Sequence, residues 1–207
     1  MQQTLTWLKA QIYLEKRQQI GILGGNFNPI HNGHLLIADQ VAQILDLDRV
    51  YLMPEAMPPH QVSKYTISAE HRLNMIELAI KDNPRLGIEM IELQLGGINY
   101  TFNTMKKLTE MNPDVYYFFI IGGDMIENLS RWYRINELME LVQFVGVGRL
   151  GYPEKSSFPV IWVDIPKIEV SSTHIRRLIT SGSIPKYLMP DKVYRYIQKE
   201  DLYFDVK

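Results

Sequence analysis

Cysteine does not occur among the 207 residues. Its absence excludes disulfides, thiolate metal sites and cysteine nucleophiles, and makes a reducing cytoplasm the expected setting. An excess of charge is also lacking, since 22 Lys and Arg stand against 23 Asp and Glu for a formal net charge of -1. Balanced charge offers no basic face for DNA or RNA and no cationic surface for an anionic membrane, so neither is an expected partner. Long apolar runs are missing too. A run such as 115–121 falls far short of the roughly 20 residues a membrane-spanning helix needs. The first residues hold Lys9, Glu15, Lys16 and Arg17 without a continuous apolar stretch, so no signal peptide is expected. Neither repeats nor low-complexity tracts are visible.

What is present suffices for one core: 46% of the residues are hydrophobic. Short, near-continuous apolar runs predict buried strands over 18–24, 49–53, 86–93, 115–121, 142–147 and 160–163. Between them, helical spacing of apolar residues predicts helices over 35–47, 68–81, 101–110, 135–141, 171–180 and 191–199. Ser68 is a candidate N-cap, and Leu73, Ile76 and Ile80 are the expected buried stripe behind it. Residues 151–159, rich in turn formers, are the expected flexible loop. Alternation of strands and helices predicts a doubly wound, Rossmann-like α/β fold, with a mostly parallel sheet covered by helices on both faces. Residues 18–207 form the single expected domain. Residues 1–17 are expected as a helical extension, packed on the outside of the domain or on a second subunit in a homo-oligomer.

The stretch Gly24-Gly25-Asn26-Phe27-Asn28-Pro29-Ile30-His31-Asn32-Gly33-His34 joins the first strand to the first helix. In a doubly wound sheet, ligands bind beyond the carboxyl ends of the strands. Gly24 and Gly25 allow a tight turn and close approach of backbone to a ligand. Asn32 is the expected N-cap, and the free N–H groups of a helix start favour an anion. His31 and His34 can face one pocket mouth and donate to phosphate oxygens, more strongly if protonated. A metal site would need a third ligand, and none lies at a familiar spacing. Far along the chain, Ser171-Ser172-Thr173-His174-Ile175-Arg176-Arg177 combines capping hydroxyls with an arginine one turn later, a second candidate anion cradle. Ser172 and Arg176 are spaced to share a face. The alternative is an ordinary capped helix with solvated arginines.

Together these stretches resemble the two signatures of the nucleotidylyltransferase superfamily: histidine, any residue, glycine, histidine, and a later Ser-Ser-Thr, any residue, isoleucine, arginine. The bacterial nicotinate-mononucleotide adenylyltransferase branch typically carries Gly-Gly-Thr-Phe-Asp-Pro before the first signature. Here Asn26 stands for the threonine and Asn28 for the aspartate. Pro58-Pro59-His60, Gly96-Gly97-Ile98-Asn99-Tyr100-Thr101-Phe102, Gly122-Gly123-Asp124 and Arg131-Trp132-Tyr133 are similar to further elements of that branch. The likeness runs from about residue 18 to 203.

The resemblance implies transfer of AMP from ATP to nicotinate mononucleotide, giving a dinucleotide and pyrophosphate in NAD biosynthesis. It places His31, His34 and Arg176 at the reacting phosphates. Gly24, Gly25, Asn26, Phe27, Gly122, Asp124, Ser172 and Thr173 join them around ATP. Asn28, His60, Tyr100, Thr101 and Trp132 are left for the mononucleotide. Thr101 can present its hydroxyl and N–H to the nicotinate carboxylate, or simply open a helix. Trp132 can stack on the cationic pyridinium or pack in the core. Tyr100 can shape the ring pocket or sit in the core. Asp124 can accept from ribose hydroxyls, help order hydrated Mg²⁺ brought by ATP, or cap a helix. No direct protein ligation of the metal is expected. Two readings compete: a nicotinamide mononucleotide acceptor, and a nucleotide-sensing module of the same fold without turnover.

Overall fold

The computed structural model describes residues 17–56, 66–148, 151–152 and 154–204. Residues 1–16 of the helical extension expected over 1–17, and the Pro58-Pro59-His60 stretch, lie outside the described residues. Six parallel strands form one sheet: β1 (Gln18–Gly25), β2 (Arg49–Pro54), β3 (Leu86–Ile88), β4 (Val115–Gly122), β5 (Val142–Val147) and β6 (Val160–Val163). Their order across the sheet is β3-β2-β1-β4-β5-β6. The chain winds outward from β1 on one side and from β4 on the other. The carboxyl ends of β1 and β4 therefore flank the point where the order reverses, the place where such sheets bind ligands.

Side chains alternate across the sheet and build a core on each face. Phe118 and Ile120 of β4 point to one side, with Ala38 and Val41 of α1 (Asn32–Ile44), Met75 and Ile76 of α2 (Ala69–Ile80), Ile175 and Ile179 of α7 (Ser172–Thr180), and Val193 and Ile197 of α8 (Asp191–Lys199). Tyr117, Phe119 and Ile121 point to the other. They pack with α3 (Ile91–Leu95), α4 (Thr101–Met111), α5 (Gly123–Ile126) and α6 (Ile135–Leu141). Gly21 in β1 permits close packing, because a Cβ there would come within 2.7 Å of Val50 Cγ2.

Three local expectations are corrected. The strand expected over 86–93 stops at Ile88, and Ile91–Leu95 is helical. Glu89 Oε1 accepts from Ile91 N at 2.9 Å, and Gln94 N donates to Met90 O at 3.0 Å, so the chain turns into a helix where the apolar run alone reads as strand. The first helix begins at Asn32, three residues before the expected 35, and its N-cap is His31 rather than Asn32. In α2, capped by Ser68 as expected, the buried stripe is Arg72, Met75, Ile76 and Ile80, with Arg72 on the core face in place of Leu73.

Candidate active site

A cavity of about 480 Å³ opens at the carboxyl ends of β1 and β4, a volume suited to a nucleotide. Gly24, His31, Gly33 and His34 line it from the β1–α1 connection, Gly122 and Asp124 from the end of β4, and Ser171 and Ser172 from the start of α7. Two segments about 140 residues apart thus meet at one opening.

The two histidines hold each other through the backbone. His34 N lies 3.4 Å from His31 Nδ1, and His31 N lies 3.3 Å from His34 Nδ1. This is a reciprocal capping box built from two imidazoles. The rings stack with centroids 3.6 Å apart and planes 16° from parallel. Gly33 leaves room for this fold-back, since a Cβ there would sit 3.1 Å from His31 Nδ1. The Phe27 ring, 1% exposed, meets His34 edge-on at 4.9 Å. Burial holds the His34 pKa well below its ordinary 6.5, and neighbouring His31 pushes it the same way.

The loop between β1 and α1 is fastened from behind by donors from distant elements. Arg72 Nη1 donates to Asn26 O at 3.0 Å and to Glu55 O at 2.8 Å. Arg176 Nη1 donates to Asn28 O at 2.6 Å, and Ser172 Oγ to Pro29 O at 2.8 Å. Tyr203 OH donates to Asn28 Oδ1 at 2.6 Å within the interior. These contacts hold loop carbonyls on the protein side. The Asn28–Pro29 peptide bond is cis, and Phe27 has φ 50°. Partial burial lowers the Arg176 pKa from its usual value, as fuller burial does for Arg72.

The residues singled out from sequence divide into groups. Gly24, His31, His34, Gly122, Asp124 and Ser172 line the cavity together. Thr173 and Arg176 stand beside it, with Arg176 Nη2 donating to Thr173 Oγ1 at 3.3 Å. Gly25 and Phe27 pack on each other under the loop, where a Cβ on Gly25 would meet the Phe27 ring at 3.2 Å. Asn26 and Asn28 turn their side chains to the protein. Asn26 Nδ2 reaches Thr66 Oγ1 at 3.4 Å, its Oδ1 is buried without a hydrogen-bond partner, and Asn28 is 3% exposed. Tyr100, Thr101 and Trp132 are not among the cavity's lining residues. Tyr100 is exposed and packs on Tyr133 at 4.9 Å, and Thr101 opens α4. Trp132 is half-buried and meets Phe119 and Phe144 edge-on at 6.1 and 6.0 Å.

Sequence reasoning missed the opposite wall, formed by Gly148 and by the run from Ile165 to Val170 ahead of α7, including Lys167 and Glu169. It also missed Arg72 and Tyr203. Arg72 had a legible signal: an arginine at helical spacing with Met75, Ile76 and Ile80 lies on the apolar stripe. Among the described residues two carboxylates line the cavity, Asp124 and Glu169, which suits Mg²⁺ that arrives on a polyphosphate, because this ion usually takes one or two carboxylates plus phosphate oxygens.

Residues 22–178 match the family described as cytidylyltransferase-like. The probable nicotinate-nucleotide adenylyltransferase of Enterococcus faecalis is 56% identical over 191 residues, covering 92% of this chain and 87% of that protein. That of Streptococcus pneumoniae is 55% identical over 196 residues, covering 95% and 94%. Among solved structures, the Plasmodium falciparum nicotinic acid mononucleotide adenylyltransferase complexed with NaAD superposes with a TM-score of 0.79 at 22% identity, over 92% of this chain and all of that one. The same enzyme complexed with APC gives 0.77 at 20% identity. These likenesses in structure establish the doubly wound fold, and those in sequence go further: the chain belongs to the cytidylyltransferase-like family and, within it, to the nicotinate-nucleotide adenylyltransferases.

Proposed function

We propose that this chain transfers AMP from ATP to nicotinate mononucleotide, releasing pyrophosphate. The observation that carries the reading is the meeting of the His31–His34 pair and the Ser171-Ser172 turn at one cavity, in a chain more than half identical to nicotinate-nucleotide adenylyltransferases. ATP would lie along the cavity, its triphosphate toward the start of α7 and the two histidines. A phosphate oxygen of the mononucleotide attacks the α-phosphorus in line. A new oxygen–phosphorus bond forms as the bond from the α-phosphorus to the bridging oxygen breaks, and pyrophosphate leaves with that oxygen.

The attacking phosphate is already ionised, so no residue need act as a strong base. His31 and His34 would donate to the α-phosphate oxygens as charge builds there. Arg176 and Ser172 hold the loop carrying the histidines, and Thr173 presents its hydroxyl beside them. Positioning supplies most of the rate. Mg²⁺ bound to ATP near Asp124 would offset phosphate charge. The open end of α4 at Thr101 would receive the nicotinate carboxylate, with Tyr100 and Trp132 at the pyridine ring and His60 at the mononucleotide phosphate. A cytoplasmic, self-associating enzyme accords with this chemistry. No helix among the described residues is long and apolar enough to cross a membrane.

The test is pyrophosphate release with ATP and Mg²⁺, comparing nicotinate with nicotinamide mononucleotide. Faster turnover of the acid is expected, and preference for the amide overturns the acceptor assignment. Binding of both substrates without release would make the protein a sensor. His34→Ala should lower turnover by about a hundredfold or more, the scale of losing one oxyanion donor.

A further inference from the structure

The geometry assigns a charge state and a tautomer to the histidine pair: both imidazoles work as neutral Nε2–H donors, held so by their reciprocal backbone caps. The inference rests on the adenylyl-transfer reading of this cavity for its catalytic meaning, and on the cap geometry for the tautomer itself. Each Nδ1 faces a backbone N–H of the other residue, at 3.3 and 3.4 Å. A backbone N–H can only donate, so an Nδ1 that faces one offers it a lone pair; the His34 N–H divides its bond between His31 O at 3.0 Å and His31 Nδ1 at 3.4 Å. A neutral imidazole that accepts at Nδ1 carries its hydrogen on Nε2. Protonating either ring would set an Nδ1–H against an N–H and break one side of the capping box. Charging both would also place two cations face to face, with centroids 3.6 Å apart.

The surroundings act in the same direction. The Phe27 ring closes one side of His34, and Gly33 lets His31 fold back over the helix start. The helix N-terminus itself disfavours a cation. Burial and the neighbouring imidazole both depress the His34 pKa. The titratable groups facing the pair across the cavity are Asp124 on α5 and Lys167 and Glu169 on the segment before α7, while Arg176 on α7 reaches the same loop at Asn28 O. Among the described residues, the cap hydrogen bonds at both Nδ1 atoms come from backbone N–H groups. The protein thus obtains two fixed donors whose readiness does not depend on picking up a proton near neutrality. The sequence alone leaves the charge state open, since either form donates to a phosphate and the protonated one only does so more strongly.

Long-range ¹H–¹⁵N correlation spectra of the ¹⁵N-histidine-labelled full chain test this directly. The five histidines are assigned by single substitution, and spectra are taken between pH 5.5 and about 8.5 with and without a non-hydrolysable ATP analogue. The expected result at pH 7 is an unprotonated Nδ1 and a protonated Nε2 for both His31 and His34. An Nδ1–H tautomer or a doubly protonated ring at either position overturns the proposal. This readout needs no turnover, so it stands apart from any failure of the acceptor assignment.

Two variants add a kinetic test. The amide of His34→Asn reaches about as far as Nδ1 and keeps the cap acceptor. That of His34→Gln reaches the Nε2 position and keeps the donor. Turnover of His34→Gln should exceed that of His34→Asn by about tenfold, while His34→Asn keeps the higher melting temperature. Equal turnover of the two overturns the proposal. Wild-type kcat should stay flat from about pH 6.5 to 8.5, whereas an essential imidazolium would lose about tenfold per pH unit above its pKa, which likewise overturns it.

Discussion

Arg72 places a guanidinium where the exposed fraction is 2% and uses one nitrogen to hold two carbonyls. Those carbonyls belong to Asn26, just past β1, and Glu55, just past β2. Gly25 and Pro54 are register partners, and Glu55 N donates to Gly25 O at 3.1 Å, so Arg72 ties off the last rung between the two strands. A buried charge is costly to desolvate, which its lowered pKa also reflects. Arg72→Met is therefore expected to lower stability by about 1–3 kcal/mol for each carbonyl that loses its donor, as read by urea unfolding. Arg72→Lys should recover part of that, because an ammonium is a compact donor without the planar reach of a guanidinium. A loss within about 0.5 kcal/mol for Arg72→Met, the scale of an ordinary surface change, would show that the clamp contributes nothing.

Between elements, the corner joining α3 to α4 rests on a buried carboxyl. Thr104 Oγ1 donates to Glu92 Oε1 at 3.0 Å, and Glu92 O accepts from Gly96 N at 3.0 Å and Asn99 Nδ2 at 3.3 Å. This fixes the turn leading into Tyr100-Thr101. Burial raises the Glu92 pKa from 4.5 to about 7, against the opposing hydrogen bond from Thr104. The folded state then binds more protons than the unfolded between those two values, so stability falls as pH rises from about 4.5 through 7. Glu92→Gln keeps an acceptor for Thr104 and removes the titration. Relative to wild type, it should gain about 1–3 kcal/mol between pH 4.5 and 8, measured by urea unfolding at both ends. Parallel pH profiles would remove Glu92 as the cause.

Elements with a strong period were legible in the sequence. Strands β5 and β6 and helix α8 have the expected bounds, because an apolar run or stripe with clear breakers leaves one choice. Residues 86–93 were not, since Ile88, Ile91 and Leu95 satisfy a helical stripe as well as a strand run, and only the Glu89 hydrogen bond to Ile91 N decides. The N-cap at His31 escaped for another reason. Asn32 is the better capper by residue type, and the imidazole cap depends on a stacked partner three residues on that no propensity encodes. The wall from Ile165 to Val170 has no motif of its own, and tertiary folding alone brings it to the cavity.

At the scale of the whole molecule, the last third of the chain sets the geometry of the first turn. Ser172, Arg176 and Tyr203 all end on residues 28 and 29, and Thr180 Oγ1 holds Tyr203 through its carbonyl at 2.9 Å. The bond from Tyr203 to Asn28 closes a loop of 175 positions between two side chains that are 1% and 3% exposed. Here the replacement of the family's aspartate finds a physical setting: an amide oxygen accepts from the phenol without adding a buried carboxylate charge. A double-mutant cycle isolates the contact, because Tyr203→Phe removes only the hydroxyl and Asn28→Ala removes its acceptor. The coupling should be about 1 kcal/mol in unfolding free energy. Tyr203→Phe should also slow pyrophosphate release several-fold, since the loop it fastens carries both histidines. Additive losses in the cycle, with turnover unchanged in Tyr203→Phe, would mean that the tail packs on the domain without holding the catalytic loop.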